Sequence, residues 1–450
     1  MTVPGLVIAA PASGSGKTTL TLALIRALTA RGLRIATAKV GPDYIDLAFH
    51  AAAGGRACVN LDTWAMPPVL LSGLTEQLGR DADVIVTEGV MGLLDGAGGP
   101  GQPGYDPMTD GSTGALAAAT GWPVVLVVDA RGMAATAGAV VRGLAGARPD
   151  VTVVGVIFTR CGRGAHAQTL HAATVALAPE VAMLGALPRD SDLVLPSRHL
   201  GLVQAAEHPD LAGFLDHAGA CAARHIDLEA LMARARPARS SGAATSPPPC
   251  PLPPPGARIA VAQDLAFAFS YAAVLDGWRA AGAEVRPFSP LADEVPDPDA
   301  DAIYLPGGYP ELHAGRLAAN RRFLDGLRRA AACGVAVFGE CGGYMVLGDG
   351  LEDADGTRHA MAGLLPLETS MRGSRLTLGY RRLTTLAGGP FGLAGRVFGG
   401  HEFHHARVVR EGEAPALFQV TDARGRDLGT AGRRVGTVAG SFQHLIAERP

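Results

Sequence analysis

Seven prolines fall within the nine residues 247–255, PPPCPLPPP, and no other feature restricts the fold as much. Proline fixes φ and lacks an N–H, so this run suits neither helix nor sheet and favours an extended spacer. Residues 237–256 around it therefore read as a linker. It divides the 450-residue chain into two parts, 1–236 and 257–450, each long enough to hold a core of its own. Both parts alternate apolar β-runs with segments of helical spacing, which predicts an α/β fold in each.

The first part begins with a β-run, Leu6 to Ala10, then a turn, Pro11 to Lys17, then helical spacing from Thr18 to Ala30. The turn, PASGSGKTT, has the composition of a nucleoside-triphosphate loop. Gly14 and Gly16 let backbone N–H groups face phosphates, Lys17 supplies an ammonium, and Thr18 a hydroxyl for Mg²⁺. Pro11 stands where the first glycine is usual, so the match is G-K-[ST] in the right context; a plain Gly-rich helix entry is the competing reading. Further strands are expected at Arg34–Lys39, Asp83–Thr87, Val124–Asp129, Val151–Ile157 and Val181–Leu187, giving a mostly parallel, doubly wound sheet. Sites in such sheets lie beyond the carboxyl ends of the strands. There the chain places Lys39-Val-Gly-Pro-Asp43-Tyr44-Ile45-Asp46 and the stretch from Thr87-Glu88 to Asp95. Asp43 and Glu88 are the expected Mg²⁺ ligands beside Thr18, with helix or turn capping as the alternative. Farther on, Arg198 and His199 set a cation and an imidazole on one loop, suited to an anionic substrate. Residues 212–236 read as a closing helical stretch.

In the second part, strands are expected at Arg258–Gln263, Glu284–Phe288 and Asp301–Leu305. Val335 to Met345, VAVFGECGGYM, then reads as strand, sharp turn and helix. Gly339-Glu340-Cys341-Gly342-Gly343 fits a nucleophile elbow, in which a strained turn lifts a reactive side chain above the sheet. A helix N-terminus there is expected to favour the thiolate. Tyr304-Leu-Pro-Gly307-Gly308 offers backbone N–H groups for an oxyanion hole, assigned to Gly308 with Gly342. His444, in Gly440-Ser-Phe-Gln-His444, is the expected base. Strands are also expected at Arg375–Thr384 and His401–Arg410. His401 and His405 would share a strand face, but no further ligand at suitable spacing supports zinc.

A net charge of −3 and a pI near 6.5 give no basic surface for nucleic acid or membrane. Six cysteines without C-x-x-C spacing argue against zinc ribbons and disulfide frameworks and fit a cytoplasmic protein. The N-terminus lacks the basic region of a signal peptide. Gly121 and Pro123 interrupt the longest apolar run, Gly114 to Val128.

The segments SGSGKTT, KVGPDYID, EGVMGLLDG, LPSRHLGL, LPGGYPELH, GECGGYM, GHEFHHA and GSFQHL give the chain, nearly end to end, a resemblance to the cobyrinic or hydrogenobyrinic acid a,c-diamide synthases. These are glutamine amidotransferases of cobalamin biosynthesis. The resemblance implies that Cys341 is the glutaminase nucleophile and His444 its activator. It also implies that Asp43, Tyr44, Glu88 and Asp95 belong to a synthetase site for ATP and a corrinoid carboxylate. The c and a acetates would be amidated through acyl phosphates, with ammonia passing by a closed route. The implied partners are ATP, L-glutamine and a corrinoid acid, with a homodimer left open and no nucleic acid or membrane. Two departures stand out. Ile446 occupies the position where related glutaminases often carry the glutamate of His-x-Glu, and Thr159-Arg160 stands where many relatives have a base-reading asparagine. Cobyric acid synthase and nickel-sirohydrochlorin diamide synthase are near alternatives. A partition-type ATPase would leave Cys341 idle, and a thiol hydrolase would leave Lys17 idle.

Overall fold

A computed structural model describes residues 3–99, 101–103, 105–162, 164–198, 201–239 and 250–449. The chain forms two compact units, Met1–Trp64 with Pro68–Pro248, and Ala65–Pro67 with Pro249–Pro450.

The sheet of the first unit has the strand order Cys58–Leu61, Ile35–Val40, Val84–Glu88, Pro4–Ala9, Val124–Asp129, Val153–Cys161, Ala182–Pro188. These strands pair in parallel. Most read as unbroken apolar runs because helices cover both faces of such a sheet. Pro4–Ala9 lies centrally, and the helix Lys17–Ala30 follows it directly. Cys58–Leu61 was not expected: four residues are too few to show a period. The expected closing stretch is two helices, Leu211–His225 and Leu228–Met232, followed by a two-residue strand, Arg236–Pro237. That strand runs antiparallel to the first, with Pro237 opposite Pro4. Pro237 thus joins a sheet, contrary to the spacer reading, because a strand of two residues at a sheet margin needs no N–H from its proline. At the other end of the expected linker, the Leu252 carbonyl accepts from the Trp278 indole, so this proline segment packs within the second unit. The remainder, 240–249, lies outside the described residues.

The second unit has a ten-stranded sheet. Its first five strands, Glu284–Phe288, Arg258–Ala262, Ala302–Leu305, Ala336–Glu340 and Val438–Ser441, are parallel. The sheet continues antiparallel through Asp427–Val435, Ala416–Asp422, Thr377–Thr385, Val397–His404 and Gln443–Arg449. The strand expected at His401–Arg410 is two strands. Val397–His404 stays in this sheet, while Arg407–Glu411 belongs to a separate four-stranded sheet. His404 Nδ1 lies 2.9 Å from the Ala406 carbonyl, which holds the local turn that separates them. Among the described residues no helix is long and apolar enough to cross a membrane.

Candidate active sites

In the first unit, Gly14 (φ 77°) and Gly16 (φ 89°) adopt left-handed backbone that suits glycine. The turn they make delivers Lys17 to the start of its helix. Lys17 Nζ bonds the carbonyls of Met91 at 2.5 Å and Ala12 at 3.5 Å. Burial lowers its pKa to about 8 against the pull of Glu88. Thr159 and Arg160 brace this loop: Thr159 Oγ1 donates to the Ser15 carbonyl at 2.9 Å, and Arg160 reaches the Gly14 carbonyl at 2.8 Å and Asp129 at 2.7 Å. The pair at the position of the missing asparagine is therefore committed to the loop itself.

Beyond the carboxyl ends of two neighbouring strands lies a buried charge cluster. Lys39 and Glu88 are register partners across parallel strands, so their side chains meet, with Lys39 Nζ 2.8 Å from Glu88 Oε1 and 2.5 Å from Asp46 Oδ2. Thr18 Oγ1 donates to Glu88 Oε1 at 2.6 Å and lies 3.4 Å from Asp46 Oδ2. His50 Nε2 sits 2.6 Å from the other oxygen of Glu88, and Cys58 Sγ is 3.6 Å from His50 Nδ1. Burial opposes every charge here. One ammonium is shared by two carboxylates: Lys39 stays above its ordinary value through Asp46 and Glu88, and Lys39 with His50 holds Glu88 below the usual carboxylate range. Burial and the neighbouring Asp43 push Asp46 up to about 6. Truncating one member would leave an uncompensated buried charge, at a cost of about 3–5 kcal/mol.

This geometry gives the acidic residues near the expected Mg²⁺ set, Thr18, Asp43 and Glu88, different surroundings. Asp43 Oδ1 accepts the N–H groups of Ile45 at 2.8 Å and Asp46 at 2.9 Å, so it caps the helix Ile45–Gly54. Asp46, one turn along, takes the place beside Thr18 and Glu88. A hydroxyl and two carboxylates are hard oxygen donors that fit Mg²⁺, and the Lys39 ammonium against them shows a cradle built for positive charge. From the sequence, Lys39 and Asp46 fall in the right stretch but receive no role, and His50 is not singled out. The usable signal was Asp46 and His50 four residues apart, on one helix face.

Tyr44 is buried at the start of that helix. Asp95 accepts the Gly92 N–H at 2.9 Å and lies within electrostatic reach of Lys17. Arg198 does not present an uncommitted cation, because it forks onto Glu207 at 2.6 and 3.3 Å. His199 lies outside the described residues.

In the second unit, Cys341 links the strand Ala336–Glu340 to the helix Gly342–Leu347 with φ 47° and ψ −105°. A non-glycine residue held in this conformation is strained, as an elbow requires. Glycines admit the close packing: a Cβ on Gly343 would lie 2.0 Å from the Leu305 carbonyl oxygen. A Cβ on Gly307 would lie 2.5 Å from His444 Cε1, 3.4 Å from His444 Nε2 and 3.3 Å from Cys341 Cβ. The thiol-bearing carbon and the imidazole thus converge at Gly307. Gly308 N lies 3.2 Å from where a Cβ of Gly342 would be, so the two segments expected to form an oxyanion hole adjoin beside Cys341.

The thiolate expectation is corrected. Burial pushes the Cys341 thiol well up, as do Glu311, Glu340 and Glu402, against a lowering hydrogen bond from Gly342 N–H. A helix of six residues does not outweigh this, so the thiol needs a base. His444 is fully buried on the strand Gln443–Arg449, opposite His401, and its Nδ1 is 3.6 Å from Glu340 Oε2. Ile446 packs in the core. His404 faces Glu402 at 3.1 Å and stacks on Phe442, and its strand ends before His405.

Two family models divide the chain as these sites do. Residues 6–203 match the CobQ/CobB/MinD/ParA nucleotide binding domain, and residues 258–450 match the CobB/CobQ-like glutamine amidotransferase domain. A nucleotide-binding domain with a glutamine amidotransferase domain defines a carbon–nitrogen ligase that takes its amide nitrogen from glutamine. Hydrogenobyrinate a,c-diamide synthase of Brucella anthropi is 53% identical over 98% of both chains. The enzymes of that name from Rhizobium meliloti (98% of this chain, 99% of the relative) and Rhodobacter capsulatus (98% of both) are each 51% identical. The chain belongs to this a,c-diamide synthase family of cobalamin biosynthesis.

Proposed function

We propose that the chain converts the a and c acetate carboxylates of hydrogenobyrinic acid to amides, using two ATP and two glutamine. The choice of the metal-free ring rests on the name shared by the relatives at 51–53% identity. In the first unit the substrate carboxylate attacks the γ-phosphorus of ATP, ADP leaves, and an acyl phosphate forms. Lys17 and the N–H groups around Gly14 and Gly16 hold the phosphates. Thr18, Asp46 and Glu88 would hold Mg²⁺, which supplies charge neutralisation at the phosphoryl oxygens. Tyr44 and Asp95 belong to the substrate side of this proposal. Ammonia then attacks the acyl carbon and phosphate departs.

In the second unit Cys341 Sγ attacks the glutamine side-chain carbonyl while its proton passes to His444. The N–H groups of Gly308 and Gly342 hold the oxyanion, and His444 returns the proton to the departing nitrogen. Water hydrolyses the thioester to glutamate. A cytoplasmic setting is part of the same reading, supported by six free cysteines. The test compares hydrogenobyrinic with cobyrinic acid under saturating ATP and glutamine. The metal-free ring should give diamide at the higher kcat/KM with two ADP per product; a preference for the cobalt ring, or product without ADP, overturns the proposal.

A further inference from the structure

Ile446, two residues after His444, cannot orient its ring, yet His444 Nδ1 lies 3.6 Å from a carboxylate supplied by the elbow itself. We propose that Glu340, held by Tyr304 and the Leu445 backbone, is the positioning residue that orients His444 toward Cys341. The proposal rests on the glutaminase reading above.

Glu340 is the last residue of the elbow strand and is 2% exposed. A carboxylate so placed must be satisfied from within the protein. Leu445 N–H donates to Oε1 at 3.0 Å, and the Tyr304 hydroxyl donates to Oε2 at 2.7 Å from the adjacent parallel strand. Burial and Glu340 keep that hydroxyl protonated, so it remains a donor. His444 Nδ1 lies 3.6 Å from the same Oε2. This is longer than a hydrogen bond, as contacts of this kind often are before substrate closes the site. The Cε1–Nε2 edge of the ring borders the Gly307 position beside Cys341.

The arrangement defines a proton path. With the Nδ1 proton directed at Glu340, Nε2 carries the lone pair and takes the Cys341 proton as the C–S bond forms. The imidazolium then lies against a carboxylate anchored by two other donors. The proton on Nε2 leaves with ammonia. Placing the carboxylate next to the nucleophile in sequence makes one strand end position both members of the pair, so Ile446 is left to serve the core.

Glu340→Gln, Glu340→Asp and Tyr304→Phe should be assayed as full-length chains for glutamine hydrolysis and for amidation from ammonium salt. A glutamine side chain offers an N–H to Nδ1 and favours the wrong tautomer, so Glu340→Gln should lose about 10²–10⁴-fold in glutaminase kcat. KM for glutamine should change less than about three-fold, because no contact with substrate is removed. Glu340→Asp should recover at least about ten-fold over Glu340→Gln, and Tyr304→Phe should lose about three- to thirty-fold in kcat at constant KM. Amidation from ammonium should persist in each. Glu340→Gln with kcat within about three-fold of the parent, or a loss shared equally by KM and not recovered by Asp, overturns the proposal. If Glu340→Gln does not fold, an unchanged kcat in Tyr304→Phe overturns it. Cys341→Ala in the same assays separates the two levels: glutamine hydrolysis surviving there defeats the glutaminase reading, whereas a dead Cys341→Ala beside a fully active Glu340→Gln defeats only the role of Glu340.

Discussion

Cys341 Cβ and the His444 ring both border the place where a side chain at Gly307 would begin. A methyl group there would lie 2.5 Å from His444 Cε1, and a displacement of about 1 Å in a catalytic pair costs on the order of 10²-fold. Gly307→Ala should therefore lose at least about 10²-fold in glutamine-dependent amidation while ammonium-dependent amidation persists. Parallel rates with both nitrogen sources would show that Gly307 does not shape the pair. Lys17 carries a second prediction at this scale. Its pKa of about 8 means that it is largely charged at pH 6.5 and largely neutral at pH 9. Nucleotide phosphates favour the ammonium, so ATP binding should take up protons near pH 9 and few at pH 6.5. Calorimetry in buffers of different ionisation enthalpy measures this uptake; no difference between the two pH values contradicts the assignment.

The start of the helix Ile45–Gly54 gives Asp43, just before it, and Asp46, in its first turn, different tasks. Asp43 satisfies N–H groups at the helix start, while Asp46 points into the cradle of Thr18 and Glu88. Asp46→Asn should raise the Mg²⁺ concentration for half-maximal ATP turnover at least about ten-fold, since an amide is a poorer ligand for a hard ion. Asp43→Asn keeps an acceptor at the cap and should shift that concentration much less. Asp43→Ala should lower stability by about 1 kcal/mol, measured by denaturant unfolding. Equal Mg²⁺ shifts in the two Asn variants would return Asp43 to the ligand set.

Two units, each with the catalytic groups proposed above, predict separable activities for the whole molecule. Cys341→Ala should abolish glutamine-dependent diamide formation, and ammonium salt should restore it. The rescue should grow as pH rises toward the ammonium pKa, because only neutral ammonia attacks the acyl phosphate, and it should still consume ATP. Lys17→Ala should fail with either nitrogen source yet retain some glutaminase activity. A folded Cys341→Ala chain that binds ATP but resists rescue would falsify this division.

Glycine and proline placement already spelled out the phosphate loop, the elbow and the proline segment, because those residues have backbone requirements that neighbours cannot hide. Long apolar runs likewise announced the central parallel strands. Local pattern did not reveal which carboxylates do what. Asp43 and Asp46 lie in one short segment, and only the helix start sends the first to backbone N–H groups and the second to Thr18 and Lys39. The thiol's protonation was misjudged for the same reason: a helix end is visible in sequence, whereas burial and three surrounding carboxylates are not. Glu340 was written beside Cys341 all along. Its meeting with His444, more than a hundred residues later, depends on the last strand in the sheet order, Gln443–Arg449, coming against the end of the elbow strand, a long-range approach that tertiary structure alone decides.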